Sequence, residues 1–219
     1  RAIARLAAEH LIDLGFRRFA FCSEPPTRSN GWAKERADAF TEYVTEAGFE
    51  CEAFAGRYSP AKHWRRSQAA LQKWLERLSR PIGMMACTDA RARHVMQACR
   101  AAGLRVPDDI AIVGVDNDDI MCELAQPPLT SIEQGAMRVG FEAAALLDDM
   151  MAGKRPQQQR TAVPPEGLVP RQSTDVMAVA DEDVAEAIRY IRQHACDPIQ
   201  VRDVLEVARM SRSTLEARF

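Results

Sequence analysis

Ile110 to Val115 runs for six residues without a charged or hydrogen-bonding side chain and ends on Asp116. Asn117, Asp118 and Asp119 follow as turn formers. A short apolar run bounded by turn residues reads as a strand buried on both faces, the usual condition inside a parallel sheet. Open α/β sheets bind their ligands outside the carboxyl ends of the strands. Asp116 stands at such an end, so its carboxylate is a ligand candidate. It equally suits a helix N-cap or a turn, and this stretch alone leaves both readings open.

The remaining chain supplies partners for that strand. Arg1 to Leu14 places Ile3, Leu6, Ala7, Leu11 and Leu14 at helical spacing, with Gly15 as the stop. Phe19 to Cys22 reads as a buried strand, Ser23 to Gly31 as a loop, and Trp32 to Ala47 as a helix. Phe49 to Phe54 reads as a weaker strand and residues 61–78 as a third helix. Ile82 to Cys87 gives another strand; Thr88-Asp89 then closes it and caps a helix over Ala90 to Ala102. Regular alternation of helix and strand predicts a doubly wound parallel α/β layer. Leu129 to Ile132, a helix over Ala136 to Ala152, and Leu168-Val169 complete it.

The pattern changes near Val176, which divides the chain into residues 1–176 and 177–219. Asp181-Glu182-Asp183 suits the positive end of a helix dipole. Val184, Ala187, Ile188 and Ile191 form one apolar stripe, while Arg189 and Arg192 lie near the helix's other end. Asp197-Pro198 breaks this helix, Val201 to Arg209 forms a second, and Ser211 caps a third reaching Phe219. Two short helices joined by a tight turn are the pattern of a helix-turn-helix, whose second helix meets base edges. Ser211, Arg212, Ser213, Thr214 and Glu216 are its candidate duplex contacts, with Leu215 and Phe219 turned inward. From Arg189 onward six arginines face four acids, although the whole chain carries a net charge of −2. Any attraction to phosphates is therefore local. An ordinary helical hairpin with solvated arginines fits the same pattern.

Asp89 and Asp116 follow successive predicted strands, and Arg36 lies near the start of the helix after the loop at a third strand end. An acceptor and a donor so placed suit a polyol. Trp32 either lays its apolar face on a sugar ring or packs at the helix start, and Asp89 serves either as a ligand contact or as a cap. Paired carboxylates also serve glycosidases. The chain has no G-x-S-x-G, H-E-x-x-H or P-loop, and its His residues are scattered at 10, 63, 94 and 194. His10 and His94 read as packing or surface residues. No enzyme activity, cofactor or metal is expected. The six cysteines form no C-x-x-C, which suits a reducing cytoplasmic setting with thiols in the core. No apolar run approaches the length of a membrane span, so no membrane partner is expected.

Residues 1–175 resemble the C-terminal lobe of LacI-type sensors, which have the periplasmic-binding-protein-like fold. The likeness rests on Ala7 to Arg18, Ala86 to Asp89, Val106 to Asp116, Pro127 to Ile132 and Leu168 to Ser173. Residues 184–219 resemble the start of AraC/XylS-type DNA-binding domains, through Ile188 to Arg192 and Ser211 to Phe219. That order of parts is similar to the xylose-operon regulator family. The resemblance implies a sugar-responsive transcription regulator, an activator type, that grips a pentose such as xylose between two lobes. Arg36 matches an R-x-x-[GA]-[FW] position, Asp116 the end of a G-[YVF]-D strand, and Thr88-Asp89 the position after the preceding strand. It further implies operator DNA, a homodimer and RNA polymerase as partners. A first lobe ahead of Arg1 and a second helix-turn-helix after Phe219 are implied too, so the 219 residues are expected to be a piece of a longer chain. Such turns usually carry a small residue where Arg209 stands. A free-standing sugar-binding protein of the transport type is the alternative.

Overall fold

A computed structural model describes residues 1–56, 64–156, 158, 160–176 and 181–218. Phe219, residues 61–63 of the expected third helix, and the side chains of Arg189 and Arg192 lie outside what is described. The chain divides into two compact units, Arg1–Val176 and Met177–Phe219.

In the first unit a six-stranded sheet has the order β2-β1-β3-β4-β5-β6. The strands are β1 (Arg18–Cys22), β2 (Glu50–Phe54), β3 (Ile82–Ala86), β4 (Ile110–Val115), β5 (Thr130–Glu133) and β6 (Gly167–Val169). All neighbours pair in parallel except β6, which runs antiparallel to β5. This is the expected, largely parallel α/β sheet. Every residue of β3 and β4 is buried, which explains their unbroken apolar sequence. Edge strand β2 is mostly exposed, and Glu50 and Glu52 blunt its free edge.

The helices are α1 (Ala2–Asp13), α2 (Gly31–Glu46), α3 (Trp64–Arg77), α4 (Asp89–Ala101), α5 (Asp119–Glu123) and α6 (Ala136–Met151). Strand alternation sends Ala20, Cys22, Met84, Ala86, Ile110 and Ile112 into one core with Leu71, Trp74 and Leu75 of α3 and Val95 and Cys99 of α4. On the other face Phe21 meets Phe40 of α2 with ring centroids 5.9 Å apart. A Cβ added at Gly83 there would lie 3.2 Å from Leu11 of α1. Full burial of side chains this size is worth about 1.5–3 kcal/mol each.

Helix α6 differs from the others: it has no buried residue, and Met137, Phe141, Leu147 and Met151 are all exposed. Polar side chains tie the return from it. Thr130 Oγ1 pairs with both the N–H and the carbonyl of Arg171, at 2.8 and 2.9 Å. It also meets Thr174 Oγ1, which meets His10 Nε2. His10 is thus a satisfied packing residue, and burial lowers its pKa.

The second unit holds α7 (Glu182–Gln193), α8 (Val201–Ala208) and α9 (Arg212–Arg218). Ala187, Val204 and Ala208 form its centre, with Tyr190, Ile191, Met210 and Leu215 packed around them. A capping box between Gln200 and Asp203 starts α8.

Candidate functional site

The backbone just beyond β4 is strained. Asp116 has φ 115° and Asn117 φ 52°, both in the region L side chains avoid. Each such residue costs about 1–3 kcal/mol and persists only where its surroundings hold it. Asp116 N–H donates to the Ile132 carbonyl at 2.9 Å, and Asn117 N–H to Ser131 Oγ at 3.1 Å. Asp118 N–H donates to Asp89 Oδ2 at 2.9 Å. Asp118 also takes the capping role left open for Asp116, since its Oδ1 accepts the Met121 N–H at 2.8 Å and starts α5. The carboxylate of Asp116 therefore stands clear of the helix and is exposed at the strand ends.

Arg36, half-buried in α2, reaches the same place. Its Nη1 donates to the carbonyl of Cys87 at the end of β3. Its guanidinium lies 5.1 Å from the ring centroid of Trp32, an arrangement of cation–π type. Trp32 is 40% exposed, so it does not pack into the core at the helix start. Gln134, just past β5, donates from Nε2 to Asp116 Oδ1. The ends of β3, β4 and β5 thus bring together a cation, a carboxylate, an amide and an indole face.

Thr88 and Asp89 take different roles. Thr88 is the N-cap of α4, its Oγ1 accepting the Arg91 N–H at 3.1 Å. Asp89 is neither cap nor crevice residue. It is 1% exposed, with Oδ1 accepting from Ser131 Oγ at 2.5 Å and Oδ2 taken by Asp118 N–H. With Cys122 Sγ also donating to Oδ2 at 3.4 Å, this buried carboxylate holds the loop that carries Asp116.

The surroundings of Asp116 raise its pKa. Although the residue is exposed, its carboxyl is partly shielded from water; that first, then repulsion from Asp89, pushes it up to about 6, while Arg36 pulls the other way. Asp118 and Glu24 add further negative charge. Above about pH 6 the group is a charged acceptor beside a charged donor, which is the pair a vicinal diol satisfies. Among the described residues no cluster of His, Cys, Asp or Glu is placed to hold a metal. None of the described helices is long and apolar enough to cross a membrane.

In the second unit a three-residue turn, Arg209-Met210-Ser211, joins α8 to α9. Arg209 has φ 51° and ψ 35°, the left-handed conformation that favours glycine, so the arginine bears a strain there that a glycine would avoid. Ser211 Oγ accepts the Thr214 N–H at 3.2 Å and caps α9. Arg212, Ser213 and Glu216 are exposed, Thr214 is partly covered, and Arg212 Nε pairs with Glu216 at 2.9 Å.

Sequence reasoning missed two residues. Gln134 was findable, because the strand-end rule that selects Asp116 selects it too. Arg171 lies in the Leu168 to Ser173 stretch that carries the family likeness, but nothing local names its partners, which lie 42 to 54 residues away.

A family model described as periplasmic binding protein-like domain matches residues 8–174. The xylose operon regulatory protein of Escherichia coli K12 is 37% identical over 218 residues, and that of Haemophilus influenzae Rd is 36% identical. Both alignments cover all of this chain but 56% of the relative, so the chain spans little more than half their length. The structure of a xylose-binding transcription activator superposes with TM-score 0.78 at 37% identity, covering all of this chain and 57% of that one. A lac repressor dimer bound to operator superposes with TM-score 0.65 at 27% identity over 78% of this chain and 57% of that one.

Proposed function

Because the chain belongs to the periplasmic binding protein-like domain family through residues 8–174, we propose that it is part of a sugar-responsive transcription regulator. The first unit is then one lobe of a sugar sensor, and the second is the opening helix-turn-helix of an AraC-type reader. What supports the reading is that Arg36, anchored on the Cys87 carbonyl at the end of β3, acts electrostatically on Asp116 at the end of the neighbouring strand β4. A pentose such as xylose fits this reading, in keeping with the relatives' names. Its hydroxyls would donate to Asp116 and accept from Arg36, with Trp32 beside the ring and Thr88 at the rim.

A first lobe would close over the sugar and cover the exposed apolar side chains of α6. Sugar then favours the closed form in proportion to its preference for it. In a cytoplasmic homodimer this would reset two readers on operator DNA and their contact with RNA polymerase. The reading assigns no chemical step to the site.

The test is a D-xylose titration of the full-length protein, followed by an operator gel shift with and without sugar. Sugar-dependent binding supports the reading, and its absence removes it. Two outcomes follow. Replacing Arg212 by Ala should weaken operator binding by roughly 1–3 kcal/mol if the side chain leaves Glu216 for a base edge; an unchanged gel shift strikes it from the contacts. Affinity for xylose should also depend on pH. Protonation of Asp116 removes the charged acceptor, so binding should be flat above about pH 7 and fall about tenfold by pH 5. Calorimetry across that range should show this for the wild type and a flat profile for Asp116→Asn.

A further inference from the structure

We infer that Arg171 is a positioning residue for the Asp116 carboxylate, an inference that rests on the sugar-binding reading above. Arg171 follows β6, and its side chain is only 11% exposed. Its Nη1 donates to Asn117 Oδ1 and to the Leu129 carbonyl, each at 3.0 Å, and its Nε donates to Glu123 Oε1 at 2.7 Å. Those three acceptors are the start, middle and end of the segment that leaves Asp116 and enters β5. One planar fork thus staples the whole excursion, as a lysine's single ammonium cannot.

The staple matters because Asp116 and Asn117 are both in unfavourable backbone conformations. Asp89 and Ser131 hold the N–H side of the loop, and Arg171 holds the Asn117 side chain. The backbone of Arg171 is itself fixed to Thr130, so the fork does not drift. Without it, Asn117 can relax toward ordinary φ, and that rotation swings the neighbouring carboxylate away from Arg36. Glu123 and Leu129 are not sugar candidates. The effect on ligand therefore passes through Asn117 and Asp116 alone.

The experiment is a double-mutant cycle in the full-length protein, read by D-xylose calorimetry at a temperature well below unfolding and at pH 7.5. Arg171→Gln and Asn117→Ala should each weaken xylose binding about tenfold, and the double variant no further, because both remove one interaction. Wild-type affinity in Arg171→Gln, with only a lowered melting temperature, overturns the inference. So does full additivity. If Arg171→Gln fails to fold, Asn117→Ala decides: undiminished affinity there overturns it. If the wild type itself does not bind xylose, the sugar reading falls, and a crystal structure of the Asn117→Ala variant decides the positioning claim. Asp116 leaving its φ of 115° supports it, and an unmoved Asp116 overturns it.

Discussion

Asp116→Asn in the full-length protein is expected to weaken D-xylose binding about 100-fold, the largest effect on ligand of any single change. The substitution is nearly isosteric, so the strained loop and the Gln134 contact have no steric reason to move. What it removes is charge. Two sugar hydroxyls that donated to a carboxylate would face an amide with one acceptor oxygen and one donor. Hydrogen bonds to charged groups are worth about 1.5–3 kcal/mol each, and a misdirected donor adds a penalty. Arg36 would meanwhile lose its nearby countercharge. Calorimetry at pH 7.5 reads the loss directly, and a loss below about threefold contradicts the assigned site.

Gly114→Ala is expected to be the most damaging small change to stability. A Cβ there would sit 2.2 Å from Asp89 Oδ1 and 3.0 Å from Leu129 Cδ2. Strand β4 cannot yield, since β3 and β5 hydrogen-bond it on both sides. Asp89 must therefore swing away and abandon Ser131 Oγ and the Asp118 N–H in a buried place. Overpacking and stranded polar groups together cost roughly 3–5 kcal/mol. Urea unfolding checks this, with Gly140→Ala in the exposed helix α6 as the control, because nothing lies within 4 Å of a Cβ there. Equal stability of the two variants would contradict the clamp assigned to Asp89.

The two effects share one cause, which also explains what the sequence displays and what it hides. The sheet was legible because burial on both faces demands unbroken apolar runs at β3 and β4, and because glycines at helix ends punctuate the alternation. Asp116 and Arg36 were legible because a strand end and a helix start have fixed places in such a sheet. The division of work between Asp89 and Asp116 was not. Both are acids after strands, and only the register of β4 against β5, which brings Gly114 beside Ser131, buries one and exposes the other. The role of Arg171 was hidden for a similar reason: it is set by the antiparallel return of β6, and no local pattern reports the acceptors it will meet. In the second unit, an arginine stands at the turn where a small residue is usual. The chain adopts the left-handed conformation at Arg209 all the same, since packing of Met210 and Leu215 onto Val204 and Ala208 fixes the turn.

A crystal structure of the full-length protein grown with D-xylose tests most directly whether this crevice is a sugar grip. The account predicts one xylose at the ends of β3, β4 and β5, with hydroxyls about 3 Å from both Asp116 Oδ and the Arg36 guanidinium. A sugar bound elsewhere, or a crevice in which Asp116 and Arg36 touch only each other and water at saturating xylose, would contradict it.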